Sequence, residues 1–252
     1  MMIRTYIALV VVLIFTITGV DAQQTKASSG ELKIIHARNS EAPPNVSLTV
    51  QEPTEGQVVD GPDVTVKFTI ANWKLYKEGE HGQHIHFILD NEPYQAHYSN
   101  DPIVFKDVKP GPHVIRAFPS RPWHESVKQD SAFAMVQFFV KEKSGTPLID
   151  PKAPMLVYSR PKGEYDLNKP PHGQPHPGIL IDWFLNNVTM GSRTGYTVRC
   201  TIDGMSHVFK EWRPHYVQDL SPGQHTVKLE LLKNGKPVEG NFNTTERTIT
   251  IL

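Results

Sequence analysis

The chain has 252 residues, with 26 Lys and Arg against 26 Asp and Glu, and a single cysteine. A formal net charge of zero lacks the basic excess with which nucleic-acid-binding proteins neutralise phosphates. One thiol excludes an internal disulfide, and the alternation around Cys200 predicts that it is a small apolar core residue.

Residues 1–22 have the pattern of a secretory signal peptide. Arg4 supplies a positive charge, an apolar run extends from Tyr6 to Ile17, and Val20-Asp21-Ala22 is a small-residue cleavage site. The apolar run is shorter than the roughly 20 residues that span a bilayer. We therefore expect an exported protein, periplasmic or secreted, with no stable membrane insertion after cleavage.

A repeated segment divides the rest of the chain. Residues 107–113 read Asp-Val-Lys-Pro-Gly-Pro-His, and residues 219–225 read Asp-Leu-Ser-Pro-Gly-Gln-His. The Pro-Gly pair sets a turn, and an apolar strand follows it in both copies. We predict a polar, flexible leader at 23–44, domain 1 at 45–140, a linker at 141–154 and domain 2 at 155–252.

Runs in which apolar and polar residues alternate predict short strands in both copies. In the first copy these are Ser47–Gln51, Val64–Ile70, His84–Leu89, Ile103–Phe105, His113–Phe118 and Phe133–Val140. In the second they are Leu156–Tyr158, Ile179–Leu185, Tyr196–Ile202, His215–Val217, His225–Leu232 and Thr248–Leu252. No segment has a sustained helical period. We predict an all-β protein of two tandem immunoglobulin-like β-sandwich domains.

The order of these strands and the Asp-x-x-Pro-Gly-x-His corner resemble bacterial immunoglobulin-like domains. The pairing of two such domains, with Tyr-Ser-Arg-Pro-Lys-Gly-Glu-Tyr at 158–165 opening the second, resembles a group of uncharacterised exported bacterial proteins. The resemblance covers about residues 46–252. It implies the fold, and no established activity comes with it.

His84 and His86 are candidate metal ligands. The residues that alternate with them align with core positions of the second copy, so the two histidines share the outer face of their strand. Their counterparts are Thr197 and Arg199, so the pair belongs to domain 1 alone. Neutral imidazoles suit copper or zinc. The alternative is two solvated histidines on an exposed sheet face.

The B–C and F–G loops of an immunoglobulin-like sandwich lie at the end where this strand begins. They contain His81 and His124, which we expect to complete a metal site. The same loops hold a candidate recognition patch for a protein or glycan: Trp73, Arg121, Trp123, His124 and Glu125. The alternative is that the tryptophans cap the open end of the core.

Three further histidine features are weighed against structural roles. His113 and His225 occupy the same place in both copies, and we expect them to point inward and bond backbone around the turn. His172 and His176 lie in a proline-rich loop, where weak metal binding, partner docking and a plain exposed loop are alternatives. His124-Glu125-Ser126 cannot form a relay, because adjacent residues of an extended segment point to opposite sides.

The sequence contains no nucleophile elbow, no His-Glu-x-x-His and no glycine-rich phosphate loop, so we predict that the protein is not an enzyme. We expect an exported binding or scaffolding protein that recognises a ligand or partner through the loop end of domain 1. The first alternative is a periplasmic copper- or zinc-binding protein that uses the His-x-His strand. The second is a carbohydrate-binding accessory module with Trp73 and Trp123 as stacking platforms.

Overall fold

The structure, a computed structural model, describes residues 31–79 and 81–252. The predicted signal peptide and residues 23–30 of the predicted leader lie outside this range. The strands are β1 (Ile34–His36), β2 (Ser47–Glu52), β3 (Val58–Val59), β4 (Val64–Ala71), β5 (His84–Leu89), β6 (Gln95–His97), β7 (Ile103–Phe105), β8 (Gly111–Ser120), β9 (Ala134–Val140), β10 (Met155–Arg160), β11 (Gly163–Tyr165), β12 (Ile179–Asn186), β13 (Tyr196–Ile202), β14 (Met205–Phe209), β15 (His215–Val217), β16 (Gly223–Lys233), β17 (Lys236–Pro237) and β18 (Thr244–Ile251). A short 3-10 helix at Asp130–Ala132 is the sole helix of the described ranges, and none there is long and apolar enough to cross a membrane.

The first half of the chain forms an N-terminal sandwich. A sheet of order β2-β4-β7 faces a sheet of order β3-β9-β8-β5-β6. In β4, alternate residues from Val64 to Phe68 point inward and are buried, as a strand with one solvated face requires. They pack against Phe87 and Phe138 of the opposite sheet. This is the strand order of an immunoglobulin-like sandwich.

The second half forms a C-terminal sandwich of the same design. A sheet of order β1-β15-β12-β10 faces a sheet of order β11-β18-β16-β13-β14, and β17 pairs with β16. Trp183 and Cys200 lie in its core, fully buried, and burial raises the pKa of the Cys200 thiol to about 12. The predicted all-β immunoglobulin-like fold is confirmed. The division into two domains with boundaries at 141–154 stays a prediction.

Residues 34–36, which we placed in a flexible leader, form an edge strand of the C-terminal sandwich. β1 runs antiparallel to β15, with Ile34 opposite Val217 and His36 opposite His215. Leu32 enters the core of that sandwich. The leader prediction is wrong for this segment, because three residues are too few to show alternation but enough to pair with an open sheet edge.

One face of the N-terminal sandwich packs against the C-terminal sandwich. The contact is apolar and almost free of solvent, with Ile88, Val114 and Phe118 on one side and Met155, Val157 and Phe184 on the other. The rings of Phe118 and Phe184 stack with their centroids 5.1 Å apart. At its edge, Lys128 forms an ion pair with buried Asp182. The outer face of β5 and β8 is therefore an interior surface of the molecule.

The repeated corner contains the same hydrogen bonds in both sandwiches. His113 contacts Asp90 Oδ2 through Nδ1 at 2.8 Å and the Lys109 carbonyl through Nε2 at 2.7 Å. His225 contacts Asp203 Oδ2 and the Ser221 carbonyl in the same way, at 2.6 and 2.7 Å. Both partners of each ring are acceptors, so the doubly protonated imidazolium satisfies the corner best. The predicted inward, backbone-bonded role of the two histidines matches this geometry.

These contacts raise both histidine pKa values. For His113 the hydrogen bond to Asp90 is the main cause. For His225 burial opposes the shift, and the Ser221 carbonyl and Asp203 together outweigh it. In each histidine the folded-state pKa lies above the unfolded value of about 6.5. Protonation of the ring therefore stabilises the folded protein in full below about pH 6.5, and this stabilisation is lost as the pH rises through the folded-state pKa.

We expect His113→Ala and His225→Ala each to lower the free energy of unfolding by about 1–3 kcal/mol at pH 6, because each variant loses the two hydrogen bonds of its ring, each worth roughly 0.5–1.5 kcal/mol. The loss should shrink at pH 8, where the wild-type rings are less protonated. Urea unfolding at both pH values measures it, with His172→Ala, on an exposed loop, as the control. A loss that is equal at pH 6 and pH 8 contradicts the charged corner.

Candidate metal centre

Three histidines converge in the interior of the molecule. His84 and His86 lie on the face of β5 that is turned to the C-terminal sandwich, and both are 0% exposed. Nε2 of His84 lies 2.9 Å from Nε2 of His86 and 3.0 Å from Nδ1 of His124. The three nitrogens all lie within 4.8 Å of one another. Two ligands of a tetrahedral zinc ion are separated by about 3.3 Å, so little movement would bring these nitrogens onto one ion.

Hydrogen bonds on the far side of two rings set which nitrogen carries the proton. Nδ1 of His84 lies 2.8 Å from the Gly82 carbonyl, which can only accept, so this nitrogen is protonated and Nε2 offers a lone pair. Nδ1 of His86 lies 3.2 Å from Oγ of Ser159 on β10. When that hydroxyl accepts, His86 also turns a bare Nε2 to the centre. Such outer partners commonly fix the tautomer of metal-binding histidines.

The three imidazoles are neutral at physiological pH. Burial lowers the pKa of His84 to about 4, although the hydrogen bond to Gly82 opposes the shift. Burial is also the main cause of the lowered pKa values of His86 and His124. Neutral imidazole is the form that binds a metal, so the cluster needs no deprotonation before it can act as a ligand set.

A tyrosine completes the wall of the cluster. Tyr94 is 2% exposed, and its ring stacks on His86 with centroids 3.4 Å apart and planes inclined by 9°. Its hydroxyl lies 3.1 Å from Nδ1 of His124. Burial raises the pKa of the phenol, so it is protonated in the protein without metal. The hydroxyl places an oxygen donor beside the three nitrogens.

Two cations from the C-terminal sandwich lie behind Tyr94. The Lys162 ammonium is 3.9 Å from the centroid of the tyrosine ring and donates to the Tyr94 carbonyl at 2.6 Å. The Arg160 guanidinium lies 5.3 Å from the same centroid. Both positive charges add to burial in lowering the pKa of His84. They would also favour an anionic group, such as a tyrosinate, beside a bound metal.

Tight backbone turns position His84 and His124 in the cluster. His124 has a φ of 71°, in the left-handed region, and its N–H donates to the Arg121 carbonyl at 2.8 Å. A side chain larger than hydrogen is impossible at Gly82, where a Cβ would lie 1.8 Å from the Tyr76 carbonyl oxygen. Strained positions of this kind are often found at functional sites.

His81 does not join the cluster. It lines a cleft of about 340 Å³ with Tyr76, Glu78, Gly82, Pro122 and His172, and its ring stacks on that of His172 at 5.4 Å. The cleft borders the metal candidates, because Gly82 bonds His84 and Pro122 precedes His124 by two residues. Two imidazoles and a carboxylate line this cleft. The expectation that His81 is a direct ligand is not met.

Most of the expected recognition patch lies inside the protein. Trp73 is 6%, Arg121 4% and Glu125 1% exposed. Arg121 donates to the Ser40 and Glu41 carbonyls, both at 2.6 Å, and Glu125 accepts from the amide and the hydroxyl of Ser40 at 2.9 and 2.7 Å. These side chains therefore hold residues 40–41 in place and are not open to a partner.

The remaining members of the patch are partly buried. The indole of Trp123 donates to Glu125 at 3.0 Å, and its ring lies against Gly173 of the loop at 168–178. His124 belongs to the histidine cluster. Trp73 packs with Val46 and Val127, so the alternative that this tryptophan caps the core agrees with the structure.

Sequence reasoning missed Tyr94, Ser159, Arg160 and Lys162. Tyr94 follows β5 in a loop without a recognisable motif, and the others belong to the opposite sandwich. In the sequence, the segment at 158–165 is notable only because it resembles a group of exported bacterial proteins. No pattern along the chain links it to β5, since the contact arises from packing between sandwiches.

No known family model matches the chain, and no curated protein matches it. Solved structures give weak likenesses. Fibronectin(III)-like modules of CbhA from Clostridium thermocellum match with 11% identity and a TM-score of 0.28, over 81% of this chain and 93% of theirs. SGBP-B of Bacteroides ovatus, solved with a mixed-linkage heptasaccharide, matches with 12% identity and a TM-score of 0.24, over 89% of this chain and 71% of its own. Similarity this low does not bear on function.

We expect Gly82→Ala to displace the carbonyl that binds His84 and to lower the free energy of unfolding by about 1–3 kcal/mol, the usual effect of overpacking. The ¹⁵N spectrum of the imidazoles should show loss of the fixed Nδ1–H tautomer of His84. Gly79→Ala is the control, since a Cβ there meets nothing within 4 Å although its φ of 57° is also positive. Equal stability and an unchanged His84 tautomer in both variants contradict this role of Gly82.

Proposed function

We propose that this protein binds a copper or zinc ion through His84, His86 and His124. The observation that carries the proposal is the convergence of three neutral imidazoles, two buried and one partly buried, whose ligand atoms lie within 4.8 Å of one another. Imidazole nitrogens are borderline ligands that suit both Cu(II) and Zn(II). We place Tyr94 as the fourth donor, its hydroxyl already 3.1 Å from His124.

The role we propose is binding rather than catalysis. The cluster is enclosed by the two sandwiches, whereas a catalytic zinc keeps an open position for water or substrate. The nearby Ser126 is committed to structure, because its amide donates to Asp182 at 3.1 Å. An exported protein that carries, buffers or is stabilised by copper or zinc agrees with these features.

The earlier alternatives have less support. Recognition of a protein or glycan through the loop end would require exposed anchors, and Trp73, Arg121 and Glu125 are buried. A stacking platform for sugars would need two open tryptophan faces. Trp73 is buried and has no face open to solvent, so the carbohydrate hypothesis rests on the half-buried Trp123 alone.

A metal at this site would be held by the N-terminal sandwich and supported by contacts from the C-terminal sandwich. His86 lies on β5 and contacts Ser159 of β10, while Lys162 of the C-terminal sandwich binds the Tyr94 carbonyl. A ligand that binds only the folded state stabilises it by an amount that grows with the logarithm of one plus the ratio of its concentration to its Kd. Metal binding should therefore raise the stability of the whole chain.

We expect the protein, purified without a histidine tag, to bind Cu(II) or Zn(II) and to melt at a higher temperature with the metal. His84→Ala/His86→Ala should abolish binding at the buried cluster, because two of its three nitrogen ligands are lost. Tyr94→Phe should weaken it and, with Cu(II), remove the visible tyrosinate charge-transfer band. Calorimetric titration, thermal melting and absorption spectra measure the three effects.

His172→Ala/His176→Ala is the matched control, since it removes two histidines from a loop outside the cluster. It should leave the buried site unchanged. Melting without metal shows whether each variant is folded. Equal metal affinity at the buried site in wild type and His84→Ala/His86→Ala would reject the proposal.

A further inference from the structure

A second group of histidines lies on the C-terminal sandwich. His36 of β1, His207 of β14 and His215 of β15 line a cleft of about 310 Å³. Nδ1 of His36 lies 2.9 Å from Nδ1 of His215, and the rings of His36 and His207 have centroids 5.5 Å apart. None of the three contributes to the buried cluster, so this group is an independent feature.

Packing fixes the orientation of His215. The residue is 1% exposed, and its ring stacks on Phe209 with centroids 3.9 Å apart and planes inclined by 15°. Trp183 also stacks on it, at 5.4 Å and 17°. An imidazole held by two aromatic rings cannot turn freely, and its Nδ1 points to the exposed strand that carries His36. One ligand is therefore preorganised, and its partner is open to solvent.

The electrostatic surroundings keep His215 neutral. Burial lowers the pKa of His215 to about 2, and the charges of His36, Arg213 and Lys128 also lower it. A hydrogen bond with the Glu211 backbone has the opposite, smaller effect. Burial also lowers the pKa of His207. A neutral ring at each position offers a lone pair to a metal at any physiological pH.

The other charged groups of the cleft are largely balanced. Arg213 forms an ion pair with Glu211 at 3.2 Å, and Lys128 is paired with Asp182. Lys210 lines the cleft and is exposed. Screening by water weakens its repulsion of a cation, so the paired imidazoles dominate the chemistry of the cleft.

We propose that His36 and His215 bind a second divalent transition metal ion, of the copper or zinc class, with His207 as the third ligand. Two imidazole nitrogens 2.9 Å apart already approach the separation of about 3.3 Å found around a tetrahedral ion. In this proposal the His207 side chain turns toward the ion from the wall of the same cleft, its ring centroid being 5.5 Å from that of His36. The ion joins β1 to β15 and β14, so it fastens the N-terminal segment to the C-terminal sandwich.

The probe is Zn(II) alone, added to the full chain without a histidine tag. In His84→Ala/His86→Ala, calorimetry should still detect one Zn(II) ion. Adding His36→Ala should weaken that binding by at least about tenfold, and His207→Ala should weaken it less. His36 is exposed, so its replacement leaves the core intact. His172→Ala/His176→Ala, added instead, should change nothing at this site.

Hydrogen exchange in the wild-type chain provides a second measurement that needs no folded double variant. The Ala37 amide donates to the Pro214 carbonyl at 3.1 Å, directly after β1. Zn(II) should slow its exchange in wild type and have no such effect in His36→Ala. Undiminished Zn(II) binding after His36→Ala, or an Ala37 amide that exchanges equally fast with and without Zn(II), would overturn the second site. Wild type and His36→Ala share the buried cluster, so stabilisation by a metal there is common to both, and the difference between them reports the second site.

Discussion

The burial of one face of β5 and β8 under β10 and β12 is the contact on which the rest of the structure depends. It removes water from Ile88 and Phe118, and His86 lies on the same face of the sheet. Apolar packing and the low pKa values of the histidines therefore have one origin. If the sandwiches separated, the imidazoles would be hydrated and would lose Ser159 as a partner. Association of the sandwiches therefore buries the cluster and supplies the hydrogen-bond partner of His86.

The fold could be predicted from the sequence because a period of two in short runs has few interpretations. The same period correctly placed His84 and His86 on one face. It did not show what covers that face, although residues 84–89, His-Ile-His-Phe-Ile-Leu, include no Asp, Glu, Lys or Arg, and every residue from His84 to Ile88 is buried. A run without solvated positions is typical of a strand that is covered on both sides. Ser159, 73 positions from His86, has no local signal at all.

The loop residues show why composition alone misassigns a site. Aromatic and arginine side chains are typical of binding surfaces, but they also serve to anchor a chain segment. Here Arg121 and Glu125 hold residues 40–41, and Trp73 closes the end of the core. Which use applies depends on whether another part of the same chain reaches the loops. That part is the segment after β1, whose polar sequence indicated no contact.

The position of β1 also sets an order of events during synthesis. His36 and its partner His215 are 179 residues apart, so the first described strand, β1, pairs with β15. Strands β2 to β9 can complete their sandwich while the remaining chain is still being made or translocated. The segment that contains β1 cannot pair until β15 has been made. Until then its backbone groups have no partner in the protein and bond to water. The earliest described part of the polypeptide therefore docks only after β15 has been made, so its pairing is a late step in the assembly of the chain.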